Sequence, residues 1–370
     1  MPSPDLMPEA QRQFTICNAC RYCEGYCAVF PAMERHRLFT PGDVEYIASL
    51  CHDCRDCYYA CQYAPPHEFA VNIPLLLSEV RSDTHVRHAT PRGNAQRLGG
   101  AGALLLIGAV AFGLGAALIL LLGGPGRLFT PHVGPGAFFA VLPESVLDIL
   151  FTALGVLWLA AWTVSGLRFW RATATDPGQR LTPGALWQAL ADALRLHYLG
   201  GGGAGCAYPA EAPSALRRVL HHMVFYGFLL DLLSTALAAV YDHLLGIPAP
   251  YPVLSPVVLL GCLGGAGIVL GAFGLLVLKT RADREPASPR LQVLDRAFLL
   301  ALLLVAVTGF LLLTLRSTAL MGSLLVLHLA TVAALFVTAP YGKFAHLVYR
   351  FAALVRHALE SSADRAGKAR

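Results

Sequence analysis

Charged residues are scarce in this chain of 370 residues. Asp, Glu, Lys and Arg make up 14% of it, whereas hydrophobic residues make up 56%. A soluble domain usually carries about a quarter charged residues, so the composition excludes an ordinary soluble protein and indicates a membrane protein. Cysteine is also nearly absent beyond residue 97, where only Cys206 and Cys262 occur. Any chemistry that needs several thiols is therefore confined to the N-terminal quarter.

A secretory signal is also lacking. The first 14 residues, MPSPDLMPEAQRQF, contain no apolar h-region. We therefore expect the cysteine-rich part to stay in a reducing cytoplasm, where clustered thiols favour metal over disulfides. Nucleic acid is not an expected partner, because the excess of basic residues beyond residue 97 flanks apolar segments and suits the lipid bilayer.

Six apolar runs reach the length of about 20 residues that a membrane-spanning helix needs. They lie near 98–122, 146–170, 219–243, 254–278, 294–315 and 320–339. Basic residues are concentrated in alternate loops, with six from Arg168 to Arg218 and five in 279–296, whereas each of the other loops holds at most one. By the positive-inside rule we expect a multi-pass protein of a bacterial-type inner membrane, with both termini and the 171–218 loop in the cytoplasm.

Two features of the 171–218 loop are predicted from its sequence. The apolar spacing of residues 182–198 favours a helix on the membrane surface. The following GGGGAGC, residues 200–206, lacks the G-K-[ST] ending and the preceding strand of a phosphate loop. We interpret it as a flexible connector.

Eight cysteines form two copies of one pattern. CNACRYCEGYC (17–27) and CHDCRDCYYAC (51–61) both read C-x2-C-x2-C-x3-C, which is the bacterial ferredoxin pattern for 4Fe–4S clusters. In two-cluster ferredoxins the fourth cysteine of each run binds the other cluster. We therefore predict cluster 1 on Cys17, Cys20, Cys23 and Cys61, and cluster 2 on Cys51, Cys54, Cys57 and Cys27. Two zinc sites would leave the third cysteine of each run unexplained, and Cys206 and Cys262 are not expected to be ligands.

The insert between the two runs contains PGDVEYIASL, which predicts an amphipathic helix with Pro41 near its start. The predicted fold class is all-α. It consists of an N-terminal α-helical ferredoxin module with two 4Fe–4S clusters (14–80), a linker (81–97) and a six-span membrane domain (98–359).

Four histidines have a spacing that suits b-type haem. His328 and His346 are 18 residues apart, which is five whole α-helical turns, and His222 and His243 are 21 apart. If the third and sixth spans are antiparallel, His222 pairs with His346, and His243 pairs with His328. We predict one haem bound by His222 and His346, and a second haem bound by His243 and His328. Three alternatives stay open: histidines at helix ends that contact headgroups, His221 in place of His222, and a kink at Pro340 that changes the phase.

The chain resembles a known family. The two cysteine runs, GGGGAGC-AYP, RRVLHHMVFYGFLL and HLATVAALFVTAPYGKFAHLVYR are similar to the tricarballylate-utilisation protein B (citrate-utilisation protein B) family over about residues 14–359. The membrane part also resembles the cytochrome b (gamma) subunits of nitrate reductases. The resemblance implies an electron-transfer oxidoreductase subunit. It would take electrons from the reduced FAD of a partner tricarballylate dehydrogenase and pass them to the membrane quinone pool.

The sequence leaves two other functions open. The first is a membrane transporter for a tricarboxylate with the clusters as a regulator. The spans offer little support for it, since Asp231 and Asp242 are the acidic residues within or near their cores. The second keeps the clusters but has no haem, so that quinone is reduced directly.

Overall fold

A computed structural model describes residues 6–174 and 180–368, so that 175–179 of the predicted loop lie outside the described residues. Helices make up most of the described chain, as predicted. Their bounds are α1 Leu6–Cys20, α2 Val29–Glu34, α3 Pro41–Leu50, α4 Asp56–Tyr59, α5 Ile73–His88, α6 Asn94–Leu98, α7 Ala101–Gly123, α8 Gly126–Phe129, α9 Ala137–Val141, α10 Glu144–Ala172, α11 Pro183–Leu194, α12 Leu216–His243, α13 Pro256–Arg281, α14 Pro289–Leu315, α15 Met321–Thr338 and α16 His346–Lys368. Two short strands, β1 Cys206–Ala207 and β2 Pro213–Ser214, pair antiparallel.

Six described helices are long and apolar enough to cross a membrane, namely α7, α10, α12, α13, α14 and α15. They match the six predicted spans to within a few residues at each end. The chain is therefore compatible with a multi-pass membrane protein. We call the end of this bundle that contacts the N-terminal helices the module end.

Helices α1 to α5 form the cysteine module around a buried apolar core that includes Phe14, Met33, Tyr46 and Leu77. The predicted helix in the insert is confirmed as α3, which begins at Pro41. Its first turn is fixed by a capping box, in which the side chains of Thr40 and Asp43 each accept a hydrogen bond from the other's backbone N–H.

The module extends further than its sequence bounds suggested. Helix α5 continues to His88, with Arg81 and Thr84 buried, so the first half of the expected linker is helical and packed. At the other end of the chain, α16 packs against α3 and α11 and adds Tyr349 and Leu354 to the core of the module. The module is thus completed by residues from the C-terminus.

The sixth span does not continue to His346. Helix α15 ends at Thr338, and the backbone N–H groups of Tyr341 and Gly342 both donate to the Thr338 carbonyl in a turn. Pro340 lies in this turn, where it has no N–H to continue the helix. Because α16 starts afresh at His346, the prediction that His328 and His346 share a face of one continuous helix is wrong.

Helices α12 and α13 approach each other closely through glycines. A Cβ atom on Gly271 would lie 2.6 Å from the Leu220 carbonyl oxygen, and one on Gly267 would lie 2.9 Å from the Met223 carbonyl oxygen. Such small residues let helix backbones meet in a membrane, where lipid supplies no hydrophobic drive for association. The pair holds the N-terminal turns of α12 in place at the module end.

We expect Gly271→Leu to separate α12 from α13, since the clash is with backbone and no side chain can move aside. Overpacking of this kind costs about 1–3 kcal/mol. The melting temperature of the purified protein in detergent, followed by tryptophan fluorescence, should fall. Gly113→Leu is the matched control because a Cβ atom there meets nothing within 4 Å. Equal melting temperatures for the two variants would contradict the packing argument.

Candidate functional site

Five cysteines from both runs line one cavity in the cysteine module. The cavity measures about 300 Å³ and is bordered by Cys17, Cys20, Cys23 and Cys61, together with Cys57. The first four are the residues predicted for cluster 1. Cys17 and Cys20 are held by the last turn of α1, and the left-handed backbone of Arg21 (φ +57°) leads the chain on to Cys23.

The four cysteines predicted for cluster 2 also lie together, deeper in the module. The thiols of Cys27, Cys51, Cys54 and Cys57 are close enough for their charges to interact. Cys51 and Cys54 are buried. Between and after them, Asp53 (φ +55°) and Arg55 (φ +71°) have left-handed backbones, which turn the chain sharply on either side of Cys54.

Several of these sulfurs accept hydrogen bonds from backbone N–H groups. In each case the donors follow the cysteine by two or three residues. They are Val29 and Phe30 for Cys27, Tyr63 and Ala64 for Cys61, and Asp53 for Cys51 at 3.4 Å. N–H groups aimed at sulfur stabilise its deprotonated form. These donors are the kind that iron–sulfur clusters have around their ligands.

Burial works against free thiolates in the same site. It raises the pKa of the Cys17 thiol to about 12 and that of the Cys27 thiol to about 12. Only a deprotonated thiol binds a metal, so binding must release these protons. Clustered, buried thiols with preformed N–H donors fit a resident iron–sulfur group.

Arginines fix the second cysteine run to the module end of the bundle. The backbone carbonyls after Cys51 point toward α12 and α16, where guanidinium groups donate to them. The contacts are Arg350 to Cys51 O at 2.6 Å, Arg81 to Cys51 O at 2.8 Å, and Arg217 to His52 O at 3.1 Å and to Asp53 O. Because these donors come from α5, α12 and α16, the second run is joined to the C-terminal helix and, through Arg217 of α12, to one of the six apolar helices.

His346 has the geometry of a metal ligand at the start of α16. Its Nδ1–H donates to the Lys343 carbonyl at 2.5 Å, which leaves Nε2 free, as in most metal-binding histidines. Its ring lies close enough to His221 of α12 for their charges to interact. Nδ1 of His221 is buried without a hydrogen-bond partner among the described residues.

His222, the predicted partner of His346, has other contacts. Its ring lies 5.7 Å from that of Tyr226, and the Tyr226 hydroxyl donates to the Leu194 carbonyl at the end of α11. Consecutive residues on an α-helix point about 100° apart. His222 thus turns toward Tyr226, whereas the His221 ring lies near that of His346.

The predicted second pair has different surroundings for its two rings. His243 is 46% exposed at the end of α12, with its nitrogens 3.6 Å from Glu144 and 3.5 Å from Asp148 on α10. His328 instead packs on α14, where its Nδ1 is 3.1 Å from the hydroxyl of Thr308. These contacts do not bring the two histidines to a common site.

Sequence reasoning missed two parts of the site. It set Cys206 aside, although its side chain is fully buried and packs with Cys54. It also did not predict that Arg81, Arg217 and Arg350 hold the second run. The adjacent pair His221–His222 was the one signal that could be read from the sequence, and it did not say which ring faces inward.

Known proteins match both parts of the chain. A family model described as citrate utilization protein B Fer4-like domain covers residues 10–87, and one described as citrate utilization protein B covers 96–367. A curated citrate utilization protein B from Escherichia coli is 42% identical over 353 residues, which are 95% of this chain and 92% of that protein. No solved structure matches the chain. The Fer4-like cysteine module and the six-helix part thus occur together as in these proteins, and the chain belongs to the citrate utilization protein B family.

Proposed function

We propose that this chain is a membrane electron-transfer protein. It takes electrons from the reduced FAD of a partner dehydrogenase, through two 4Fe–4S clusters and a b haem, to membrane quinone. The observation that carries this proposal is the order of the sites: a cavity of cysteines at the rim, a buried cysteine set beneath it, and two histidines at the module end of the bundle.

The rim is the side on which a protein donor can approach. The cavity predicted for cluster 1 is bordered by Arg21 and Tyr22, and the Tyr22 side chain is 68% exposed. The set predicted for cluster 2 has no such exposure at Cys51 and Cys54, which are at most 8% exposed. We propose that the partner docks beside cluster 1, because electrons can then pass from the donor to cluster 1 and from cluster 1 to the buried cluster 2.

Two arginines link the buried cysteine set to the histidines. Arg350 donates to the Cys51 carbonyl at 2.6 Å and lies one turn after His346 on α16. Arg217, one turn before His221 on α12, donates to the carbonyls of His52 and Asp53. The two arginines thus tie the ligand loop of cluster 2 to the two helices that would hold the haem.

The residues that would hold a haem are His221 and His346. Iron would take Nδ1 of His221, which has no hydrogen-bond partner among the described residues, and Nε2 of His346, whose Nδ1 contacts the Lys343 carbonyl. An aromatic group lines the interior of the bundle nearby and includes Trp158, Trp162, Phe228, Phe298 and Phe344. When bound, the clusters and haem supply one-electron chemistry. The protein's own residues position these groups and exclude water, and no side chain acts on the organic substrate.

The name of the Escherichia coli relative refers to citrate utilization. We propose by this relationship that the partner dehydrogenase oxidises a tricarboxylate such as tricarballylate. We also propose that the cysteine module faces the cytoplasm, as the distribution of basic residues predicts. A fluorescent protein fused after Arg370 should then fluoresce, and alkaline phosphatase fused in the loop at Gly246 should be active. The reverse result would invert the topology.

Metal and haem analysis of the anaerobically purified full-length protein tests the proposal. We expect about eight non-haem irons per chain and a pyridine haemochrome of b type. A reduced flavoprotein donor should reduce both the clusters and the haem, as seen in their absorbance spectra. Stoichiometric zinc without iron would overturn it. Eight irons without haem would favour the alternative in which the clusters reduce quinone directly. Uptake of labelled tricarboxylate by vesicles that carry this protein alone would favour the transporter alternative instead.

A further inference from the structure

The glycine-rich segment after α11 lies over the second cysteine run. We call residues 199–208 the strap. The backbone N–H of Ala207 donates to Asp56 Oδ1 at 2.6 Å. Gly201 (φ +52°) approaches so closely that a Cβ atom there would lie 2.3 Å from Asp56 Oδ2. The interpretation of this segment as a flexible connector is therefore wrong.

The far end of the strap is held by stacking. Two guanidinium groups lie over the ring of Tyr208, with Arg55 at 4.5 Å and Arg217 at 4.6 Å from its centroid. Arg55 comes from the second cysteine run and Arg217 from α12. Two cation–π contacts to one ring fix its position, so the strap is anchored on both sides of Cys206.

Cys206 lies in the second half of the strap and is fully buried against Leu199 and Cys54. Its thiol donates to the Leu199 carbonyl at 3.0 Å, and its side chain packs beside that of Cys54. The other charged groups that face it are Arg217, Asp53 and Asp56. Among the cysteines predicted for cluster 2, Cys206 packs with Cys54. Cys206 therefore lies beside a predicted ligand and is not one of the four predicted ligands.

We propose that Cys206 donates a hydrogen bond to the Cys54 sulfur and thereby raises the reduction potential of cluster 2. This inference rests on the proposed function, in which Cys54 binds the cluster as a thiolate and carries no proton. The Cys206 proton then lies between two acceptors, the Leu199 carbonyl and a negatively charged sulfur, and charge favours the sulfur. Reduction adds negative charge to the cluster, so a donor at its sulfur stabilises the reduced form.

The test is a redox titration of the full-length protein followed by electron paramagnetic resonance. Cys206→Ala removes the donor, and Cys206→Ser restores one. We expect both variants to keep about eight irons. The cluster 2 midpoint should shift to a more negative potential in the alanine variant and return toward the wild-type value in the serine variant. The cluster 1 midpoint should not move.

Two further variants complete the test. Cys262→Ala, in α13, removes the other cysteine outside the runs and should leave both midpoints unchanged. Gly201→Ala keeps Cys206 but pushes the strap away from Asp56, and it should shift cluster 2 in the same direction as Cys206→Ala.

Two results would overturn the inference. One is a wild-type midpoint in Cys206→Ala, and the other is the loss of about four irons in that variant, which would make Cys206 a ligand. Failure of the proposed function is distinct from both, because the wild-type protein itself would then lack iron.

Discussion

Replacement of Cys61 by serine should halve the non-haem iron, from about eight atoms per chain to about four. Cys61 belongs to the second run, yet it lines the cavity of Cys17, Cys20 and Cys23. The single variant does not tell crosswise sharing from sharing within a run, because either arrangement loses one cluster. Pairs of substitutions do.

Crosswise sharing places Cys20 and Cys61 on the same cluster, so Cys20→Ser combined with Cys61→Ser should still retain about four irons. Cys51 and Cys61 would serve different clusters, so Cys51→Ser combined with Cys61→Ser should leave almost none. Iron and acid-labile sulfide assays, with Cys262→Ser as the matched control at full content, measure both. The opposite result for the two pairs would assign each run to its own cluster.

Haem should be lost from His346→Ala and from His221→Ala but retained in His222→Ala. The His221 ring lies near that of His346, whereas His222 turns toward Tyr226. The measurement is the pyridine haemochrome of each purified variant, with non-haem iron as the check that the cysteine module has folded. Loss in His222→Ala and retention in His221→Ala would restore the ligand predicted from sequence.

His243 supplies the control for this series. It is a histidine of the same helix, but it lies 46% exposed at the other end beside Glu144 and Asp148. We expect His243→Ala to keep the wild-type haem content. A fall to half in this variant would instead support a second haem with His243 as a ligand.

Local sequence patterns were enough to predict the membrane helices and α3 and to identify the family. The length and apolarity of the six runs predicted α7, α10 and α12 to α15, because a helix in lipid must satisfy its own backbone within one segment. Pro41 predicted the start of α3 for an equally local reason. Resemblance to the citrate utilization protein B family, carried by the cysteine runs and the histidine segments, is confirmed.

The direction of the His346 side chain could not be predicted from the local sequence pattern. Counting 18 residues from His328 to His346 assumes one straight helix, and the turn at Pro340 breaks it. In the same way, His221 and His222 are equivalent by spacing, and only the tertiary structure decides which ring lies near His346. A one-residue difference rotates the side chain by about 100°.

The sequence by itself determined that two four-cysteine runs precede six membrane helices, since thiol spacing and hydrophobic length are properties of single segments. The tertiary structure alone decided how these parts meet. It placed α16 in the module core, set arginines of α5, α12 and α16 on the second run, and laid Cys206 against Cys54. The physical reason is that the partners in these contacts are 30 or more residues apart, and in most cases more than 100 apart. Their pairing depends on which buried carbonyl or sulfur is left to satisfy once the helices have packed.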